Sequence, residues 1–392
     1  MIDIEPLADT PERVEIRDAV RAICDRFDDD YWREKDREHA FPFEFSQAIA
    51  EGGWLGIAMP PEYGGAGLGV TEAAIMMQTI GSSAGTFAAC STVHINIFGP
   101  HAIVKHGSPE QRERILPPLI RGETRACFGV TEPDAGLDTT KLSTRAVRDG
   151  DRYLVNGRKM WISTAQEADK IVLLARTTPV EQCVKPTDGL SLFYTNLDKR
   201  YVEAREIPKM GRGAVDSNAL FIDNLPVPVE DRIGEEGKGF RYILDSLNPE
   251  RILNAAEVIG IGRRALSKAV QYADERVVFG RKIGKNQSIQ HPLAESWSEL
   301  YAAELMTLRA AQLYDAGQPC GAEANAAKYL AADACFHACD RAIRTHGGMG
   351  YASEYNVERY FREAVATRLA PVSRELILCF LAERVLGLPK SY

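Results

Sequence analysis

The feature that most constrains this chain is a change of periodicity near its middle. Between about Ala126 and Pro228, short segments of β-type composition follow one another with no long helical pattern between them: Tyr153-Leu-Val, Lys170-Ile-Val-Leu-Leu-Ala-Arg, Leu190-Ser-Leu-Phe-Tyr and Leu220-Phe-Ile. Turn residues separate them at Arg148-Asp-Gly-Asp, Asn156-Gly and Pro186-Thr-Asp-Gly. Without intervening helices, this spacing predicts an antiparallel barrel or sandwich rather than βαβ units. Both flanks read as helix. Residues 11–34 place Val14, Ile16, Val20, Ile23 and Phe27 at helical spacing, and a second helix is expected over Phe43–Glu51. The run from Met59 to Gly69, with two prolines and four glycines, breaks the pattern. Helix resumes at Thr71 and continues with interruptions to about Ile120, including a start at Ser108-Pro-Glu-Gln, with Ser as N-cap and Pro at N1. After Gly234–Gly239, amphipathic helices are expected over 240–278, 288–316, 322–346 and 372–386. The expectation is an α+β chain of three units: a helical domain at 1–124, a β domain at 125–232 and a helical bundle at 233–392.

Composition narrows the function classes. With 392 residues, 45% of them hydrophobic and 26% charged, the chain can bury a large core. A formal net charge of -8 argues against a general nucleic-acid binder. No run of eighteen apolar residues suggests a spanning helix, and the acidic start lacks a signal or transit character. The eight cysteines are dispersed without a CxxC pair, and Cys335 and Cys339 can share a helix face as buried thiols. The seven histidines offer no HExxH spacing. These readings give a cytoplasmic, reduced, metal-free protein with no membrane and no nucleic-acid partner.

Several motifs carry chemistry. In Thr131-Glu-Pro-Asp-Ala-Gly136, Pro and Gly force a turn that can present backbone N–H groups to an acceptor; alone it reads as a surface turn. Trp161 and Ser163, with Ile162 between them, share one face of a strand, which suits either an ordinary core or a planar ligand. Arg276, Phe279, Gly280 and Gln287 put a phosphate-binding type of side chain at a helix end and loop. The glycines at 64–69 do not form GxGxxG between a strand and a helix, so they read as a loop with no catalytic role.

Taken together, Pro60-Pro-Glu-Tyr-Gly-Gly-Ala-Gly, Gly129-Val-Thr-Glu-Pro-Asp-Ala-Gly-Leu-Asp138, Val155-Asn-Gly-Arg-Lys-Met-Trp-Ile-Ser163, Arg276–Gln287 and Thr345-His-Gly-Gly-Met-Gly-Tyr351 resemble the acyl-CoA dehydrogenase family over nearly the whole chain. The resemblance implies FAD as cofactor, oxidation of an acyl-CoA to its 2,3-enoyl form, and fatty acid β-oxidation as setting. It implies an electron-transfer flavoprotein as acceptor and a homotetramer built as a dimer of dimers. It places Phe128, Val130 and Thr131 along the isoalloxazine, and Trp161, Ile162 and Ser163 on the flavin-contacting strand. Arg276, Phe279 and Gln287 would hold the FAD of the neighbouring subunit, with Gly347 and Gly348 near the adenosine half and Ser373 and Glu375 at further FAD contacts. Leu137, Arg251 and Pro371 fall on the substrate side.

The reaction needs a carboxylate to remove the α-proton, while a flavin accepts the β-hydride. Many relatives carry that glutamate in a loop before the last helix, where this chain has Pro371. Another branch, including the isovaleryl-CoA and long-chain dehydrogenases, places it on an earlier helix just before an Arg, and Leu247-Asn-Pro-Glu-Arg-Ile252 matches that pattern. Glu250 is therefore the expected base and Arg251 its supporting residue. Asn248-Pro249 either starts a helix, whose N-terminus would lower the glutamate pKa, or kinks a continuous one, where burial would raise it. Three positions depart from the family pattern: Pro371 lacks the N–H that relatives use near the thioester carbonyl, Leu137 replaces a Ser, and Arg344 replaces a Gln. A flavin-dependent oxidase on a non-CoA substrate and a non-catalytic partner subunit are the competing readings.

Overall fold

In the computed structural model, which describes residues 10–391, the chain runs helix, sheet, helix. The first helices are α1 (Pro11–Cys24), α2 (Asp29–Glu38), α3 (Phe43–Glu51), α4 (Val70–Gly81), α5 (Thr86–Phe98), α6 (His101–His106) and α7 (Pro109–Ile120). The expected helix over 11–34 is two helices, because Asp28 caps a new start by accepting from Tyr31 N. Ser108 and Gln111 form the capping box that opens α7. The segment 86–106, apolar enough in length and composition to cross a membrane, is divided at Gly99-Pro100 between α5 and α6 and is mostly buried.

The central strands are β1 (Ala126–Gly129), β2 (Arg145–Asp149), β3 (Arg152–Ser163), β4 (Lys170–Arg176), β5 (Leu190–Asn196), β6 (Val202–Glu206), β7 (Ser217–Pro228) and β8 (Arg232–Ile233). Their order is β6-β7-β3-β2-β4-β5-β8, with β1 beside β4. The pairing is antiparallel except for β1–β4 and a single parallel pair, Arg145 with Arg176, between β2 and β4. The sheet is therefore mixed. Asn156-Gly157 is not a turn: it lies inside β3, opposite a bulge that gives Asn224 of β7 a φ of 51°. A second bulge, between Lys159 and Ile162, falls on β3 itself.

The C-terminal helices are α8 (Gly239–Glu275), α9 (Gln287–Asp315), α10 (Gly321–His346), α11 (Val357–Thr367) and α12 (Arg374–Arg384). A short hairpin of β9 (Val277–Val278) and β10 (Arg281–Lys282) joins α8 to α9. The sequence reading omitted α11. Helix α8 packs on α10, α4, α9 and α5, forming a core of Ile252, Val258, Ile259, Ile261 and Leu266 against Met76, Val93 and Cys335. Cys335 and Cys339 are both buried free thiols on α10. The glycine loop at 64–69 joins helices as expected, and its last residue is constrained from afar. A Cβ on Gly69 would sit 2.6 Å from an Asp315 oxygen, and that carboxylate accepts from Val70 N, Thr71 N and Thr71 Oγ1 at 2.8, 2.9 and 2.6 Å.

Candidate active site

Two groups of candidate residues, one on the sheet and one on the helices, meet where α5 packs on β1. The first is built on β1, β3 and the turn after β1. Lys159 is fully buried, and its ammonium donates to Val130 O, Glu132 Oε1 and Leu174 O at 3.1, 2.9 and 2.8 Å. Glu132 in turn accepts from Ser143 N, Ser143 Oγ and Thr144 N. Burial works against the Glu132 charge, but Lys159 and these donors hold its pKa at about 2. Burial brings the Lys159 amine down to about 8, with Glu132 opposing the shift. The pair is fully hydrogen-bonded, and it fixes the Val130–Glu132 turn onto β3. A bond from Met160 N to Thr131 O, 2.9 Å, completes the junction.

The β3 bulge acts just beyond that anchor. Trp161 takes φ 63°, and its side chain is 58% exposed while Ile162 is buried. The indole is thus bared on a strand whose next residue is core, and it offers a flat apolar face. Ser163, two residues on, is partly buried, and its Oγ accepts from Arg212 Nη2 at 2.9 Å. Phe128, Val130 and Thr131 border this surface, with Val130 buried and the other two partly open.

The second group lies on α8 and α5. Helix α8 is continuous through Pro249, so Glu250 sits in mid-helix and not at an N-terminus. Of the two roles open to Asn248-Pro249, the structure takes the continuous helix. Glu250 is buried, and its side chain makes no hydrogen bond or ion pair among the described residues. Burial pushes its pKa up, with His94 and Arg251 pulling it back; Glu257 and Lys328 are the other charges that face it. Asn254 and Glu257 follow at helical spacing on the same face. Asn254 Nδ2 donates to Glu257 Oε2 at 3.3 Å, and Glu257 Oε1 pairs with His94 Nδ1 of α5. Burial opposes the imidazolium, but Glu257 more than offsets it and raises the His94 pKa. An aromatic line connects the two groups: His94 to Phe98 at 4.7 Å, and Phe98 to Phe128 at 5.1 Å between ring centroids. His94 and Glu257 escaped the sequence reading. Their signal, a histidine and a glutamate inside apolar helical stretches, takes meaning only once α5 lies on α8.

The other expected residues are spread over the β9–β10 hairpin, the helix ends and loops, with Arg251 directly after Glu250 on α8. Arg276 follows the end of α8, and Phe279, φ 50°, projects from the β9–β10 hairpin with its side chain wholly exposed. Gln287 is exposed at the start of α9. Gly347 ends α10 with φ 60° and ψ -132°, a conformation that side chains resist, and a Cβ on Gly348 would meet open space. Ser373 caps α12 through Leu376 N, and Glu375 lies in that helix's first turn. Leu137 and Pro371 are both exposed. Arg251 is half-buried, and its Nε has no hydrogen-bond partner among the described residues.

Comparison with known proteins covers almost the whole chain. Residues 10–123, 127–225 and 237–386 match the N-terminal, middle and C-terminal domain models of acyl-CoA dehydrogenases. Acyl-CoA dehydrogenase FadE12 of Mycobacterium tuberculosis is 35% identical over 393 residues, covering 98% of each chain. The structure of butyryl-CoA dehydrogenase from Megasphaera elsdenii superposes with a TM-score of 0.91 at 27% identity, covering 96% of this chain and 98% of that one. A glutaryl-coenzyme A dehydrogenase in complex with glutaryl-CoA gives 0.90 at 30% identity, with 97% of each chain covered.

Proposed function

The chain belongs to the acyl-CoA dehydrogenase family, and on that premise we propose that it converts an acyl-CoA thioester to the trans-2-enoyl-CoA with FAD, Glu250 removing the α-proton. That it is an oxidoreductase of acyl-CoA thioesters, working with a flavin, follows from the family. The observation that carries the assignment of the base is the Glu250 carboxyl, buried in mid-helix with no hydrogen bond or ion pair among the described residues. A carboxylate stripped of hydrogen bonds is a stronger base than a solvated one, and its raised pKa moves it toward the range useful for general-base work.

The residues present fit a flavin. Trp161 is bared by a bulge, Ser163 offers a hydroxyl proton once Arg212 has supplied its own hydrogen bond, and the buried Lys159–Glu132 pair holds the Val130–Thr131 turn. Trp161, Ile162, Ser163, Phe128, Val130 and Thr131 would hold the ring system. Arg276, Phe279 and Gln287 would hold the FAD of a neighbouring subunit, with Gly347, Gly348, Ser373 and Glu375 at its other contacts. When bound, FAD supplies the two-electron oxidant, its N5 accepting the β-hydride. Arg251 and His94 favour the carboxylate of Glu250, the form that accepts the proton. Leu137, Arg251 and Pro371 border the thioester. We assign units 1–124, 125–232 and 233–392 as domains, a cytoplasmic homotetramer as the assembly, fatty acid β-oxidation as the setting and an electron-transfer flavoprotein as the acceptor.

Relatives named for butyryl- and glutaryl-CoA share this fold, so fold alone leaves the acyl group open. The test is anaerobic bleaching of the flavin against a panel of acyl-CoAs, with Glu250→Gln beside the native enzyme. Bleaching at the native rate in the variant removes Glu250 as the base. No bleaching with any thioester removes the substrate class.

A further inference from the structure

One turn beyond Glu250, a buried amide oxygen has nothing to bond to. Asn254 is buried on α8, and its Oδ1 has no hydrogen-bond partner among the described residues. The orientation of that amide is set by its neighbours. Glu257 Oε1 pairs with His94 Nδ1 of α5, and Glu257 Oε2 accepts from Asn254 Nδ2 at 3.3 Å. A carboxylate only accepts, so it holds the NH2 edge of the amide and leaves the carbonyl edge unused. Residues four apart on a helix are neighbours, about 5–6 Å between Cβ atoms, and Glu250 stands four residues before Asn254 on the same continuous helix. With Nδ2 committed to Glu257, Oδ1 is the Asn254 atom available to Glu250.

That atom discriminates between the two forms of Glu250. An ionised carboxyl and an amide oxygen are both acceptors and repel each other. A protonated carboxyl brings an O–H, and the buried Oδ1 then gains the partner it lacks. Ser246, one turn before Glu250, also has an unpartnered Oγ, but a hydroxyl can turn either its proton or its lone pair toward a carboxyl and so favours neither form. In the proposed reaction the α C–H bond breaks and its proton forms the O–H bond of Glu250. The C–H electron pair enters the new double bond as the β-hydride leaves to the flavin. The form that Asn254 can bond is therefore the one Glu250 takes when the proton has arrived.

We propose that Asn254 is a positioning residue for Glu250, its Oδ1 accepting a hydrogen bond from the protonated carboxyl and thereby stabilising the proton-bearing side of the abstraction step. The proposal rests on the assignment of Glu250 as the base. Burial already raises the Glu250 pKa, and the charges that face it are His94 of α5, Arg251 and Glu257 of α8 and Lys328 of α10. All four stay in place in an Asn254 variant, and Glu257 keeps His94 as its partner.

The test uses the flavin-loaded enzyme and two readouts. The first is the carbonyl stretch of protonated Glu250 in infrared difference spectra across its titration, taken without substrate and identified by its loss in Glu250→Gln. The second is the pH dependence of flavin reduction by the thioester of the acyl-CoA panel that bleaches the flavin fastest. In the native enzyme the stretch should sit at the lowered position of a hydrogen-bonded acid. Asn254→Leu, which fills a similar volume, should raise it to the position of a free acid, and Asn254→Gln should return it part of the way. Loss of one neutral hydrogen bond should also move the midpoint of flavin reduction down by about 0.5–1 on the pH scale in Asn254→Leu, with reduction about two- to tenfold slower on the alkaline side. A native stretch at the free-acid position overturns the proposal without need of a variant. So does a stretch that Asn254→Leu leaves in place, or a midpoint that it leaves unmoved or raises. Flavin reduction at the native rate in Glu250→Gln, with the stretch still moved by Asn254→Leu, counts against Glu250 as the base and not against the hydrogen bond.

Discussion

Glu250 lies one residue past a proline inside a continuous helix, and this decides the sign of its shift. A helix start would have offered free N–H groups to its carboxylate, but mid-helix burial offers none, so the proton is held more tightly than in water. The active form is the carboxylate. Flavin reduction should therefore rise with pH through an apparent pKa above 4.5, the usual glutamate value, as stopped-flow pH profiles would show. Glu250→Gln should slow that step by about 10²–10⁴-fold. The same substitution should raise the denaturant midpoint at neutral pH. A raised folded pKa gives stability that is present below 4.5 and lost as pH rises through the folded value, and Gln cannot ionise. Lys159 and Glu132 behave in the opposite sense. Lys159→Met leaves Glu132 buried without its cation and should cost about 3–5 kcal/mol in urea unfolding, with loss of flavin retention. Because Glu132 is held at about 2, its contribution in the native protein is complete above 4.5 and is lost as pH falls toward 2.

Among the elements, α4 depends on a residue far away in sequence. Asp315, at the end of α9, takes the place of an N-cap side chain that Gly69 does not have. Asp315→Ala should lower stability by about 1–2 kcal/mol, measured by thermal or urea unfolding. No local pattern announces such a cap, since the glycine loop reads only as a break. Helix α11 was illegible for a related reason. Its buried face carries Arg359 and Glu363, which pair with each other and reach Thr86, Ala84 and Phe87 at the start of α5, so charge occupies positions where periodicity looks for apolar residues. The long helices α8, α9 and α10 were readable because a whole apolar face repeats along each. The mixed pairing of the sheet was not, because β1 joins β4 in parallel through a connection that no turn signature marks. At the site, Trp161 and Ser163 were picked out by strand alternation, but the bulge that bares Trp161 interrupts that alternation and depends on β7 as much as on β3. The His94–Glu257 pair, 163 residues apart, required the tertiary fold.

For the molecule as a whole, the most exposed apolar feature is the tip of the β9–β10 hairpin. Phe279 is fully exposed and Val277 is 55% exposed, more than an isolated surface would keep without a covering partner. If a neighbouring subunit covers it, light scattering on the purified protein should give a tetramer. Phe279→Asp should then lower both the assembled fraction and the flavin content, while the helical circular dichroism of the protein stays unchanged. A monomer with full flavin content would rule out the shared site. Helix α8 gives that arrangement a mechanical meaning. From Glu250 to Arg276, at the hairpin's base, it runs for roughly 39 Å at 1.5 Å per residue, with no further proline to interrupt it. Such a rod acts as a lever arm: a tilt of only about 1.5° at the hairpin end displaces the carboxyl by about 1 Å, a misplacement worth about 10²-fold in rate. If a neighbouring subunit seats on the hairpin and Glu250 is the base, how squarely that neighbour seats would set part of the precision of proton abstraction at the far end of the same helix.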